Sequence, residues 1–135
     1  MIVIDASAMV EALVGTDPND ALVEALEEDV HAPALLDVEV MSVLRGLELG
    51  RVVSRSRASL ALADYRDLQI IRHELEPVAD RVWELRHQFT SYDAFYVALA
   101  EALDAPLITC DRKLNTSGHT ARVQVLGRST PPRRA

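Results

Sequence analysis

The chain has 135 residues, 49% of them apolar and 4% aromatic, with a formal net charge of −7 at pH 7. That length fits one domain able to bury roughly two thirds of its unfolded surface, and no run of eighteen apolar residues offers a membrane span. The acid excess argues against a general nucleic-acid coat, the lone Cys110 excludes an internal disulfide, and an N-terminal segment broken by Asp5 and Glu11 argues against a signal peptide, so a cytoplasmic protein is expected.

The apolar run Ile2, Val3, Ile4 reads as a strand buried on both faces, as in a parallel sheet, and it ends in Asp5. Ser7 is the candidate cap of a helix through about Leu13, and "GTDPND" breaks that helix before Asp17 and Pro18 open a second, ending near Asp29. "VHAP" is a short strand. Pro33 then opens a longer helix to Leu49, which Gly50 can end in a left-handed conformation. Ser54 opens the next helix, "LQIIR" is a strand, Pro77 starts a helix through about Gln88, and Ser91 caps one through about Leu103. "APLITCD" is a strand, residues 112–116 make a helical turn, and "RVQVL" is the last strand. Strands alternating with helices predict an α/β fold around a parallel sheet. The tail "STPPRRA" is proline-rich and polar and reads as disordered, which leaves a domain over 1–126 and a flexible tail over 127–135.

In such sheets ligands sit beyond the carboxyl ends of the strands. Asp5 and Asp111 both occupy that position, in "IVIDAS" and "LITCDRK". Each alone reads first as a helix cap, for which Asp is among the best residues. Thr109 faces the same side as Asp111, and its hydroxyl can support a site there, as can Ser7. Two helices add further acids. The apolar stripe Leu36, Val40, Val43, Leu44, Leu47 carries Glu39 within about 60° of its centre, so a carboxylate in the middle of a helix points toward the core. In "SYDAFYVALAEAL", Asp93 shares a face with Tyr96, Val97 and Ala100; a first-turn acid there is also favoured by the helix dipole.

Buried carboxylates that cluster repel one another and need a cation or protons. The helix with Glu39 has no Lys or Arg before Arg45, and the four histidines (His31, His73, His87, His119) show no zinc-ligand spacing with Cys110. An all-oxygen donor set suits Mg²⁺ or Mn²⁺. Charge is also segregated: residues 1–44 sum to −10, 45–111 to −3 and 112–135 to +6. Arg112, Lys113 and Arg122, with Arg45, Arg51, Arg55 and Arg57, are candidates to guide phosphates toward the acids.

Four blocks in this order, "VIDASAM" with Asp5, "APALLDVEVMSVLR" with Glu39, "SYDAFYVALAEAL" with Asp93 and "LITCDRKL" with Asp111, resemble the PIN-domain nucleases, and among them the small VapC-type toxins of toxin–antitoxin pairs. The resemblance covers about residues 1–126. It implies a three-layer fold with a central parallel sheet flanked by helices, and a Mg²⁺- or Mn²⁺-dependent endoribonuclease. It also implies control by a cognate VapB-type antitoxin and a homodimer. Some relatives carry a further acid after the last block. Residues 112–135 hold none, so Asn115 or Thr116 can supply only a neutral ligand. Such a site activates water on the metal and leaves a 5′-phosphate and a 3′-hydroxyl. Competing readings fare worse. A phosphoaspartyl enzyme of the haloacid-dehalogenase kind needs a second Asp where Ser7 stands, a receiver domain needs one at the end of "LQIIRHE", and no GxxxxGK loop is present. A housekeeping RNA-processing nuclease or a catalytically silent PIN-like binding module remain the alternatives.

Overall fold

The computed structural model describes residues 1–127; apart from Gly127, the tail expected to be flexible lies outside them. Five strands, β1 (Ile2–Ile4), β2 (Val30–Pro33), β3 (Ile70–His73), β4 (Leu107–Thr109) and β5 (Val123–Val125), form one sheet in the order β3-β2-β1-β4-β5. All four pairings are parallel. Parallel neighbours require crossovers that return the chain to the same edge. The connections carry α1 (Ala6–Val14), α2 (Asp20–Ala25), α3 (Leu36–Leu49), α4 (Arg55–Asp67), α5 (Ala79–Glu84) and α6 (Ser91–Leu103). The expected α/β architecture with a central parallel sheet is thus present.

The core sits around β1 and β4. Ile2, Val3, Ile4, Leu107 and Ile108 are all but inaccessible, which fits strands covered on both faces. From Ala94 to Ala100 every residue of α6 is buried, and α6 touches β1, β2 and β4. After β1 the chain moves outward to β2 and β3; after β4 it moves the other way, to β5. The order therefore reverses between β1 and β4, and the crevice beyond their carboxyl ends is the place where open sheets bind ligands.

Several local expectations are corrected. Asp5, not Ser7, caps α1, accepting from the Ala8 N–H at 3.0 Å. Asn19 caps α2 and accepts from the Ala21 N–H at 2.8 Å, so Asp17 and Pro18 lie in the preceding turn. Pro33 ends β2, opposite His73, and α3 begins three residues later; a proline lacking an N–H is tolerated at a strand end. Glu39 consequently falls in the first turn of α3, not in its middle. Val43 is 38% exposed and leaves the inward stripe of Leu36, Val40 and Leu44. Gly50 stays at φ −79°, and Arg51 takes the left-handed conformation at φ 59°. Pro77 lies in a 3₁₀ turn ahead of a short α5, and Gln88 leaves the helix to bond Thr116 and Ser117. Thr90, not Ser91, caps α6.

Candidate active site

Asp5 leaves β1 into the reversal crevice and is 7% exposed. Its Oδ1 accepts from the Ser7 hydroxyl at 2.7 Å and from the Ala8 N–H at 3.0 Å; its Oδ2 accepts from the Thr109 hydroxyl. Those two hydroxyls also tie Asp5 to the exit of β4. Ser7 Oγ accepts from the Cys110 N–H at 3.0 Å, and Thr109 Oγ1 accepts from the Asp111 N–H at 2.9 Å. Each hydroxyl donates to the carboxylate and accepts from the neighbouring strand exit, so the two strand ends are fixed relative to each other. Ser7 and Thr109 thus both hydrogen-bond Asp5. Asp111 caps the 3₁₀ turn Arg112–Leu114 through the Lys113 N–H at 2.9 Å. The cap reading of each strand-end acid thus holds, and the two lie near enough for Asp111 to repel Asp5.

Glu39 reaches in from α3 and Asp93 from α6, each in a first helical turn and each half-buried. Glu39 Oε1 accepts from the Tyr96 hydroxyl at 2.6 Å. Burial pushes the Asp5 carboxyl above its usual range despite its hydrogen bonds, and Asp111 pushes it the same way. Burial likewise raises Glu39, with repulsion from Asp93 and Asp5 added, and raises Asp93, with repulsion from Asp111. These repulsions link all four acids into one electrostatic unit, although they come from four separate chain segments. The Cys110 thiol is pushed up to about 11 by burial and by Asp5 and Glu11, which makes it an inert neighbour.

The donor set fits a hard divalent ion. Lys113, with its ammonium 3.7 Å from Asp111 Oδ2, is 84% exposed and offsets little of the acid charge. Among the described residues no three His, Cys, Asp or Glu side chains are gathered tightly enough to enclose an ion by themselves. Mg²⁺ makes no such demand, since it keeps several waters and commonly binds through one or two carboxylates.

The basic candidates divide. Arg112 and Lys113 are exposed at the crevice beside Asp111. Arg122 precedes β5, at the opposite edge of the sheet, where it bonds Asp104 O at 2.7 Å. Arg45 lies six residues past Glu39 on α3, about 9 Å along the axis, and Arg51 lies beyond the end of that helix. Arg57 binds Val14 O at 2.7 Å, at the far end of α1. Arg45, Arg51 and Arg122 therefore do not join the acids, because the helix and strand that carry them lead away from the crevice. Asn115 is exposed and closes the 3₁₀ turn through its N–H on Arg112 O. Thr116 Oγ1 accepts from Gln88.

Two partners went unassigned in the sequence. Tyr96 shares a helix face with Asp93, but only the packing of α6 against the sheet brings its hydroxyl to Glu39. Two residues before Glu39, Asp37 accepts from Tyr65 at 2.5 Å and from Arg72 Nε at 2.8 Å. No local pattern announces either pairing, since 57 and 28 residues separate the Tyr partners from their acids.

Residues 2–118 match the PIN domain model. The chain belongs to the PIN-domain family, within its VapC group. It is 40% identical to ribonuclease VapC12 of Mycobacterium tuberculosis over 93% of this chain and 99% of that one. It is 42% identical to ribonuclease VapC1 of the same organism over 83% and 86%. Its fold resembles a toxin–antitoxin complex chain from Klebsiella pneumoniae with a TM-score of 0.56 at 19% identity, covering 87% of this chain and 92% of that chain.

Proposed function

We propose that this VapC-group protein is a Mg²⁺- or Mn²⁺-dependent endoribonuclease and the toxin of a type II toxin–antitoxin pair. The reading is carried by Asp5, Glu39, Asp93 and Asp111 lying about the point where the strand order reverses, with burial raising three of them and repulsion among the acids adding to it. Relatives named as ribonucleases support the substrate class. These four carboxylates would hold the ion directly or through water. A divalent ion supplies Lewis-acid charge to a phosphate oxygen and lowers the pKa of a bound water. Ser7, Thr109 and the Ala8 N–H keep Asp5 fixed, so its orientation does not have to be won on binding. Hydrolysis then leaves a 5′-phosphate and a 3′-hydroxyl.

Arg112 and Lys113 stand where an incoming phosphate chain would meet the crevice. Neutralising both should lower the slope of log affinity against log salt by about 0.7 for each single-strand phosphate that the two side chains hold; an unchanged slope would leave them as solvated charges. The ten acids and no Lys or Arg of residues 1–44 suit a basic segment of a VapB-type antitoxin. The exposed apolar groove of Leu35, Leu75, Trp83, Tyr92 and Phe95 suits a homodimer, which sedimentation of the purified protein checks. Among the described residues no helix is long and apolar enough to cross a membrane, and a cytoplasmic location agrees with this role. The test of activity is cleavage of RNA with added Mg²⁺ or Mn²⁺ and with excess chelator. Cleavage that stops with chelator and returns with the metal is expected; cleavage that persists overturns the metal mechanism.

A further inference from the structure

Tyr96 is 2% exposed, yet its hydroxyl is aimed at the functional crevice. It is the donor on Glu39 Oε1 at 2.6 Å, a length typical of an O–H donor on an ionised carboxylate. The ring sits at the centre of α6, one helical turn after Asp93, so one helix contributes both an acid and the donor that fixes another acid. Glu39 rides on a different helix and has three side-chain torsions. Its carboxylate is only half-buried and takes its hydrogen bond from Tyr96. Asp5, by contrast, accepts from two hydroxyls and a backbone N–H. Without Tyr96, Glu39 would be free to turn toward solvent and away from Asp5 and Asp93, which repel it.

We propose that Tyr96 is a positioning residue of the acidic site: its hydroxyl occupies Oε1 of Glu39 and thereby presents Oε2 to the divalent ion. This rests on the four-acid reading above. Donors behind a ligating carboxylate characteristically act this way, and their loss lowers metal affinity by about 10- to 100-fold. A purely structural tyrosine behaves differently. There, Glu39 merely satisfies a buried phenol, and removing the hydroxyl changes stability without changing the binding of the ion.

The experiment titrates the full chain with Mn²⁺ and follows free Mn²⁺ by electron paramagnetic resonance, for wild type, Tyr96→Phe, Glu39→Gln and the double variant. Phe retains the ring that fills the core, and thermal unfolding in chelator reports any loss of stability separately. Tyr96→Phe should weaken Mn²⁺ binding about 10-fold, and should have little further effect once Glu39 is Gln. Unchanged or tighter binding in Tyr96→Phe overturns the proposal, as does an equal loss in both backgrounds. Should Tyr96→Phe fail to fold, wild type still decides. Mg²⁺ should perturb the near-ultraviolet tyrosine spectrum, and the perturbation should vanish in Glu39→Gln; saturating Mg²⁺ without a tyrosine signal overturns the proposal. Failure of wild type itself to bind Mn²⁺ overturns the four-acid reading instead, so the two failures are told apart.

Discussion

Asp37 and Glu39 stand two residues apart in the first turn of α3 and both accept a short hydrogen bond from a tyrosine, yet they differ electrostatically. Burial pushes Asp37 up, but the hydrogen bonds from Arg72 and Tyr65 outweigh it and hold its carboxyl below the usual range. Burial pushes Glu39 up, the Tyr96 bond only partly opposes this, and Asp93 and Asp5 push it further. One corner is a completed ion pair with an arginine from β3, and the other is an acid among acids. A carboxylate with its cation built in is structural; a group of carboxylates offset only by the exposed Lys113 is the corner that the proposal assigns to a metal.

The largest expected break in this contrast is at Asp111. Asn caps a helical turn about as well as Asp, so Asp111→Asn should alter the cap by no more than about a few tenths of a kcal/mol. It also removes repulsion on Asp5 and Asp93. Metal-free stability should therefore hold or rise while RNA cleavage falls by about 100-fold or more, the upper end of what losing even an outer partner of a metal site costs. Thermal unfolding in chelator, paired with a cleavage assay, checks both halves. Normal cleavage would leave Asp111 as a cap and nothing else.

The structural corner should respond the opposite way. Tyr65→Phe deletes the donor to Asp37 and should cost about 1 kcal/mol of stability, with RNA cleavage and Mn²⁺ affinity kept within about twofold. Arg72→Ala should cost less, about 0.2 to 1 kcal/mol, because both partners of that pair are more than a third exposed and screened by solvent. Denaturant midpoints measure these losses. A large drop in Mn²⁺ affinity for Tyr65→Phe would show that the two tyrosines are equivalent and would erase the distinction.

The smallest effect is the pH dependence of the metal-free protein. Asp5, Glu39 and Asp93 are raised, so as pH falls through their folded-state values the folded chain takes up protons before the unfolded chain does, and stability increases. Asp37 is lowered, and Glu101 is lowered to about 2 by hydrogen bonds from Arg81 and Thr120 that outweigh its burial. Their contribution is present above the unfolded carboxyl range, near pH 4, and is lost as pH falls further. Below the imidazole range, where His31 acts oppositely because burial and His73 lower it, unfolding midpoints in chelator should thus rise with acidification and then fall below about pH 4. Asp5→Asn should flatten the rise. A decline that begins at pH 7 and continues without a maximum would mean the acids are not strained against one another.

Much of this was legible in the linear chain. Runs such as Ile2–Ile4 and Leu107–Thr109 must be covered on both faces, so hydrophobic patterning alone requires a parallel sheet, and an acid following such a run lies at its carboxyl edge. Four acid-bearing blocks in a fixed order carried the family resemblance. Glu39 and Asp93 stood out because each interrupts an apolar helix face. Boundaries and caps were less legible: Pro33 finished a strand instead of opening a helix, because pairing with β3 claimed it, and Thr90 preceded the expected cap by one residue. Competing capping residues differ by only a few tenths of a kcal/mol, so packing selects among them.

The sequence by itself determined the strand and helix periodicities, the charge segregation, and which acids fall at strand exits. Tertiary structure alone decided which side chains meet. Sheet order set Asp5 beside Thr109 across 104 residues and sent Arg122 to the opposite edge. Packing of α6 against the sheet carried Tyr96 to Glu39, and the course of α3 took Arg45 and Arg51 away from the acids. The physical reason is range. Periodicity and capping act over a few residues and leave a local signature, whereas meetings between distant segments depend on the connection paths and on how the shared core closes.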